Sequence, residues 1–343
     1  MRAAVYTRTG DPDVLTVIDK PLAEPGPGEV RVRLHYSGVN PTDWKARRGT
    51  EPGRPIDPPQ VPNHDGSGVV DAVGEGVDAA LAGQRVWTWE AAYQRPEGTA
   101  QQYAIIPARQ VVPLPEWAGF ELGASLGVPF ITAHRCLTVT EDGPDELGPG
   151  SLSGRTVLVA GGAGAVGNAA IQLAKWADAT VISTVSSPAK AQLAAAAGAD
   201  HVINYREQDV VAEVRKIAAG GVNAIVEVSP AANAAIDAAI LAPSGSVAIY
   251  ANDGGDSIEL PVRASMTLNA RWQFVLLYNV PHPAKIRAIN SVSAAVLAGA
   301  VRVGDEVGLP LHRYSLNEVA QAHQAVEDSV VGKVLIDLEP DAG

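Results

Sequence analysis

Residues 156–176 read TVLVAGGAGAVGNAAIQLAKW, and few other stretches restrict so strongly what a chain can fold into. Thr156 to Ala160 is a short, apolar, β-branched run of the kind that forms a buried strand, and Asn168 to Trp176 carries apolar residues at helical spacing. Gly162, Gly164 and Gly167 stand between them as G-x-G-x-x-G. The first glycine is expected to allow a tight turn, the second to let backbone approach a pyrophosphate, and the third to let the helix pack on the strand. Ala165 and Val166 then open the helix, where unpaired N–H groups and the positive dipole end favour phosphate. In a chain with 34 glycines the bare pattern says little. A strand before it and a helix after it make it a dinucleotide-binding loop.

The alternation continues downstream. Strands are expected at Thr180 to Val185, His201 to Tyr205, Ala224 to Val228, Val247 to Ala251 and Trp272 to Leu277, with helices at Pro188 to Ala197, Asp209 to Ala219 and Asn233 to Leu241. Such alternation predicts an α/β unit, a doubly wound parallel-sheet Rossmann domain, which binds its ligand at the carboxyl ends of the strands. Ala251 and Asn252, at the end of the fifth strand, therefore join the expected cofactor contacts. The end of the second strand selects the dinucleotide. NAD sites place a carboxylate there for the ribose 2′-hydroxyl, whereas NADP sites leave it neutral and add a cation. Here STVSSPAK has hydroxyls at Ser183, Ser186 and Ser187, then Lys190, and no acid, which favours NADPH.

The Rossmann loop begins nearly halfway along the chain, so something precedes it. GEVRVRLHYSGVN puts Val30, Val32, Leu34 and Tyr36 on one face of a strand and Glu29, Arg31, Arg33 and His35 on the other. Gly and Pro clusters at 21–28 and 49–62 divide the rest into short strands and loops, a largely β domain. The polar connector EDGPDELGPGSLSG, 141–154, leads into the first Rossmann strand. A formal charge of −12 argues against nucleic acid and anionic membrane surfaces as partners. The single cysteine, Cys136, excludes an intramolecular disulfide, and no apolar run is long enough to span a bilayer, so a cytoplasmic protein is expected.

Eight segments occur in an order that carries further information: SGVNPTDWKARRG, VPNHDGSGVVDAVGEGV, GQRVW, GTAQQYAII, LGVPFITAHRCL, VLVAGGAGAVGNAAIQLAK, AGADHVINYRE and VGKVLIDL. In this the chain resembles the zinc-independent medium-chain dehydrogenases/reductases, in their quinone oxidoreductase, or zeta-crystallin-like, branch. The resemblance covers essentially the whole chain. It implies a GroES-like β-rich catalytic domain from residues 1–126 and 282–343, a Rossmann domain from 127–281, and an active site in the cleft between them. It also implies NADPH-dependent reduction of a quinone or of the carbon–carbon double bond of an enone or enal, and a homodimer paired through the last Rossmann strand, here WQFVLL at 272–277.

Individual residues follow from the same resemblance. Zinc alcohol dehydrogenases carry cysteine where this chain has Asn40, and a His-Glu pair where it has His64-Asp65. A neutral amide is a poor zinc ligand, so no metal is expected. Lys45 matches a lysine in the substrate cleft of related enone reductases and is the candidate donor to the substrate oxygen, and Asn40, five residues before it, is a candidate to bind that oxygen or a cofactor ribose. His64, Tyr93 and Tyr103 are expected to line the pocket. Thr132 matches a threonine close to the nicotinamide, while Tyr205 and Lys190 match residues at the adenosine phosphate. Some relatives add a C-terminal arginine there, and the matching place is Asp328. Two other functions remain open at this point: a biosynthetic tailoring reductase acting on a larger enone or polyene to drive reduction or cyclisation, and a protein that binds NADPH without turnover.

Overall fold

The computed structural model describes residues 1–339 and divides into two compact units, Met1–Val128 with Leu311–Gly343, and Pro129–Pro310. The first unit begins with β1 (Arg2–Arg8), β2 (Thr16–Asp19), β3 (Glu29–Val39), α1 (Pro41–Arg48), β4 (Pro55–Gln60), β5 (Asp65–Val73), β6 (Arg85–Thr88), β7 (Tyr103–Pro107) and β8 (Val111–Pro113). Helix α2 (Phe120–Leu137) continues into the second unit, which holds β9 (Thr156–Ala160), α3 (Ala165–Trp176), β10 (Thr180–Val185), α4 (Pro188–Ala196), β11 (His201–Asn204), α5 (Val210–Ile217), β12 (Val222–Glu227), α6 (Pro230–Ile240), β13 (Leu241–Ile249), α7 (Val262–Leu268), β14 (Arg271–Phe274) and α8 (His282–Leu297). The chain then returns to the first unit with β15 (Leu311–Ser315), α9 (Val319–Glu327) and β16 (Lys333–Asp337).

Strand β3 organises the first unit. It pairs antiparallel with β5 along one edge, and on the other edge with β7 through its first half and β16 through its second. The expected face is the core face: Val30, Val32 and Leu34 are buried and Tyr36 is half-buried. On the opposite face Arg31 is also buried, which an exposed polar position would not be. Its guanidinium is held by Asp71 at 2.9 Å and Glu24 at 3.0 Å, and a buried charge of this kind requires such partners.

The second unit is a wholly parallel sheet in the order β11-β10-β9-β12-β13-β14. In chain order these are the third, second, first, fourth, fifth and sixth strands, the doubly wound arrangement, whose order reverses between β9 and β12. Val157 to Ala160 are buried, as a strand covered on both faces must be.

Two expectations change. The return to the first unit comes at Leu311 rather than 282. Helix α8 belongs with the Rossmann unit, where Ala288, Val292 and Ala295 are buried, and Gln172 of α3 exchanges hydrogen bonds with the Arg302 backbone. The last strand is also shorter than 272–277: β14 ends at Phe274, after which Val275 and Leu277 turn inward while Leu276 is 58% exposed.

Candidate functional site

The glycine loop divides its labour differently from the simple reading. The tight turn after β9 falls on Gly161, whose φ of +67° is costly for residues with a Cβ. A Cβ on Gly162 would lie 2.1 Å from Ser183 Oγ, so this glycine is required by packing. Gly167 is required as expected, since a Cβ there would come within 2.4 Å of the Gly161 carbonyl oxygen. Gly164 is different. Its Cβ would meet only the Gly161 oxygen, at an ordinary 3.5 Å, and the residue is exposed. Among the described residues no atom demands glycine there, which suits a ligand's close approach. Gly164 is the N-cap of α3 without a side-chain cap, and the half-buried Ala165 and Val166 follow it. The first N–H groups of α3 therefore point out of the fold without intrahelical partners, a fit for a pyrophosphate.

Beside this loop lie the ends of β10 and β11. Ser183 donates to the Val159 carbonyl and is buried, so it is structural. Ser187 caps α4 by accepting from the Lys190 N–H at 3.3 Å. Ser186 and Lys190 are half-buried, and Tyr205 stands 51% exposed just past β11. Thr132 is buried in α2. Ala251 and Asn252 follow β13, with the Asn252 amide donating to Asp256. Glu227 at the end of β12 and Asp237 of α6 form a buried carboxyl pair absent from the sequence reading. Burial, reinforced by Glu227, pushes Asp237 well above the usual carboxylate range, and its proton bonds Glu227. Glu227 in turn accepts from the Ser229 N–H and, at 3.0 Å, from Asn233.

The first unit contains a buried polar cluster built around Asn40. Asn40 caps α1, its N–H donating to Asp43 Oδ2 at 2.7 Å. Its side-chain amide donates to Asp65 Oδ2 at 2.7 Å, and its Oδ1 accepts from Lys333 Nζ at 2.7 Å. Asp65 also accepts the Val128 N–H, at 2.9 and 3.0 Å, and lies 3.7 Å from Lys333 Nζ. His64 Nε2 is 3.8 Å from Asp43 Oδ1. Burial is the largest influence on each titratable member: it raises Asp43 and Asp65, lowers Lys333, and brings His64 down to about 4. One ammonium among two carboxylates leaves the group neutral only if one carboxyl keeps its proton. Asp65, 3.7 Å from the Lys333 ammonium, is the nearer counterion, while burial and the neighbouring Asp65 push Asp43 up to about 8.

A second chain of bonds supports the same segment. His323 donates through Nε2 to Asn63 Oδ1 at 3.0 Å, Asn63 Nδ2 to Ser37 Oγ at 2.9 Å, Ser37 to Thr99 at 2.7 Å, and Thr99 to the Asp65 carbonyl at 2.6 Å. The carbonyl at one end accepts only, so every proton direction is determined, including the His323 tautomer. Burial holds His323 neutral, its pKa brought down to about 3. The chain keeps Asn63 at φ +77°, which sets the course of His64 and Asp65.

The expected site residues therefore separate. Asn40 and His64 come together, joined by Asp43, Asp65 and Lys333, which the sequence reading had not assigned. The N-P-T-D spacing of a capping box was a signal for Asp43. Nothing local marked Lys333. Lys45 lies on α1 between the inward-facing Asp43 and Arg47, so its side chain is exposed, with the ammonium 5.7 Å from the Trp44 ring. Tyr93 is half-buried and accepts from Gln94 at 3.3 Å. Tyr103 is not brought to the cluster: its ring lies 6.0 Å from the Arg31 guanidinium, within the ion-pair group of β3.

Among known proteins, the alcohol dehydrogenase GroES-like domain family matches residues 26–116 and the zinc-binding dehydrogenase family residues 165–294. A quinone oxidoreductase from Lama guanicoe is 30% identical over 98% of this chain and 97% of its own length. A mycobacterial protein solved in complex with NADPH superposes with a TM-score of 0.80 at 29% identity, covering 98% of this chain and all 100% of that one. An NAD-dependent alcohol dehydrogenase superposes with a TM-score of 0.83 at 28% identity, covering 99% and 100%.

Proposed function

The chain belongs to the quinone oxidoreductase branch of the medium-chain dehydrogenase/reductase family, and from that membership we propose that it is an NADPH-dependent, metal-free reductase of quinones or of the C=C bond of enones and enals. The observation that carries the cofactor choice is the end of β10, where Ser186, Ser187 and Lys190 stand in place of the acid an NAD site uses. Likeness to both NADPH-bound and NAD-dependent structures leaves this choice to the chain's own residues.

NADPH, when bound, supplies a hydride. The first turn of α3 would hold its pyrophosphate, and Gly164 would leave room for the phosphates to reach that turn. Lys45 would be the donor to the negative charge that hydride addition would leave on the substrate oxygen. The Asn40 carbonyl and one amide proton are committed to Lys333 and Asp65, which positions the side chain and leaves one amide proton uncommitted. The same commitment argues against zinc. The only amide oxygen Asn40 has is occupied by an ammonium, Asp65 is bonded to Val128, and among the described residues no group of three or more His, Cys, Asp or Glu could hold a metal ion.

Strand β14 is a sheet edge with Phe274 64% exposed, and a second copy pairing there would cover it as a homodimer. A reducing cytoplasm suits the single thiol. The test is NADPH oxidation measured across quinones, enals and larger enones, with NADH as comparison and with exhaustive chelation. Activity with NADPH that survives chelation is expected. Turnover that needs added zinc, or that prefers NADH, overturns the proposal.

A further inference from the structure

We propose that Arg206 is a cofactor-specificity residue, a second cation that joins Lys190 at the 2′-phosphate of NADPH; this rests on the NADPH reading above. The parallel register of β10 and β11 pairs Val185 with Asn204, and the Tyr205 N–H continues the ladder to the Val185 carbonyl at 3.1 Å. Neighbouring strands lie about 4.8 Å apart, so the chain leaves β11 at Tyr205 and Arg206 alongside Ser186 and Ser187 leaving β10. The Gly161 N–H bonds the Thr184 carbonyl at 3.0 Å, so the phosphate-binding turn emerges from the same end of the sheet.

The turn that carries Arg206 is built, not loose. Asn204 is buried, its Oδ1 accepts the Arg206 N–H at 3.2 Å, its own N–H donates to Gln208 at 2.9 Å, and its carbonyl accepts from Glu207 and Gln208. These bonds display Tyr205 and Arg206 to solvent. Among the described residues the Arg206 guanidinium makes no hydrogen bond or ion pair, although Glu207 is its neighbour in sequence. The other acids close in sequence are engaged elsewhere: Asp209 caps α5 through the Ala212 N–H, and Asp200 is held by Lys175 and the Val181 N–H. An exposed, uncommitted guanidinium on a hydrogen-bonded turn, beside a strand end that carries hydroxyls and a lysine, is suited to a phosphate monoester. Arginine offers it two parallel donors where Lys190 offers a point charge.

The test is equilibrium binding of NADPH and NADH by fluorescence to the native protein, Arg206→Ala and Arg206→Lys. Competition by adenosine 2′,5′-bisphosphate against adenosine 5′-monophosphate isolates the phosphate from the nicotinamide. Arg206→Ala is expected to weaken NADPH and the bisphosphate about tenfold to a hundredfold and to leave NADH and the monophosphate within twofold, while Arg206→Lys restores part of the loss. Raising salt should narrow the native preference more than the variant's. A native preference for NADPH that Arg206→Ala leaves unchanged overturns the role of Arg206 alone. Equal native affinities for NADPH and NADH overturn the cofactor reading and this inference together.

Discussion

Replacing Lys333 with methionine tests the buried cluster most directly. The lysine side chain is 1% exposed, and its Nζ lies 2.7 Å from Asn40 Oδ1, 3.3 Å from the Val39 carbonyl and 3.7 Å from Asp65 Oδ2. Methionine keeps most of the length but leaves Asn40 Oδ1 without a donor and Asp65 without a counterion. Removing one partner of a buried pair costs about 3–5 kcal/mol, because the remaining charge stays desolvated. The loss is expected to depend on pH in a definite direction. Burial already raises Asp65, and without Lys333 its folded pKa rises further above the unfolded value, so the folded variant binds the extra proton. A group with a raised folded pKa loses stabilisation as pH climbs, so the variant should be most impaired at pH 8 and recover toward pH 5. The double variant Lys333→Met with Asp65→Asn should regain about 1–3 kcal/mol relative to Lys333→Met, since no unpaired charge is left. Urea unfolding followed by tryptophan fluorescence is the assay, because Trp87 and Trp89 are buried in the first unit. A Lys333→Met protein within about 1 kcal/mol of native at pH 8, or a double variant no better than the single one, would refute the ion-pair account.

Three further outcomes are expected. Gly162→Ala should destabilise by about 1–3 kcal/mol because its Cβ would meet Ser183 Oγ at 2.1 Å, whereas Gly164→Ala should fold normally and weaken NADPH; equal stability of the two proteins by urea titration would contradict the assignment. Lys45→Met should lower kcat about tenfold to a thousandfold with NADPH affinity unchanged, and native turnover of an enone would make Lys45 a rim residue whose ammonium only caps the Trp44 ring. Phe274→Asp should shift a homodimer toward monomer in sedimentation at micromolar concentration, and a native protein that is already monomeric would remove the β14 edge as an interface.

The sequence by itself was enough for the Rossmann unit, because strand, glycine loop and helix are local in the chain and each has its own periodicity. Thr156–Ala160 and Thr180–Val185 match the expected strands to the residue. Which glycine does what was a tertiary matter: the requirement at Gly162 comes from Ser183, a residue on the neighbouring strand. The absence of an acid after β10 could be read directly, while the nearness of Arg206 to that strand end depends on the β10–β11 register. The first unit was legible only as alternating β structure. Asn40 and His64 could be singled out as residue types, but their chemistry is set by Lys333, which joins them from the far end of the chain when β16 pairs with β3. The surroundings of Tyr103 were hidden for the same reason, since its place beside the GTAQQY loop does not say what covers the ring, and here Arg31 with its carboxylates lies against it. Local periodicity is written in neighbouring residues, whereas a buried charge is defined by partners that only the completed sheet brings within reach.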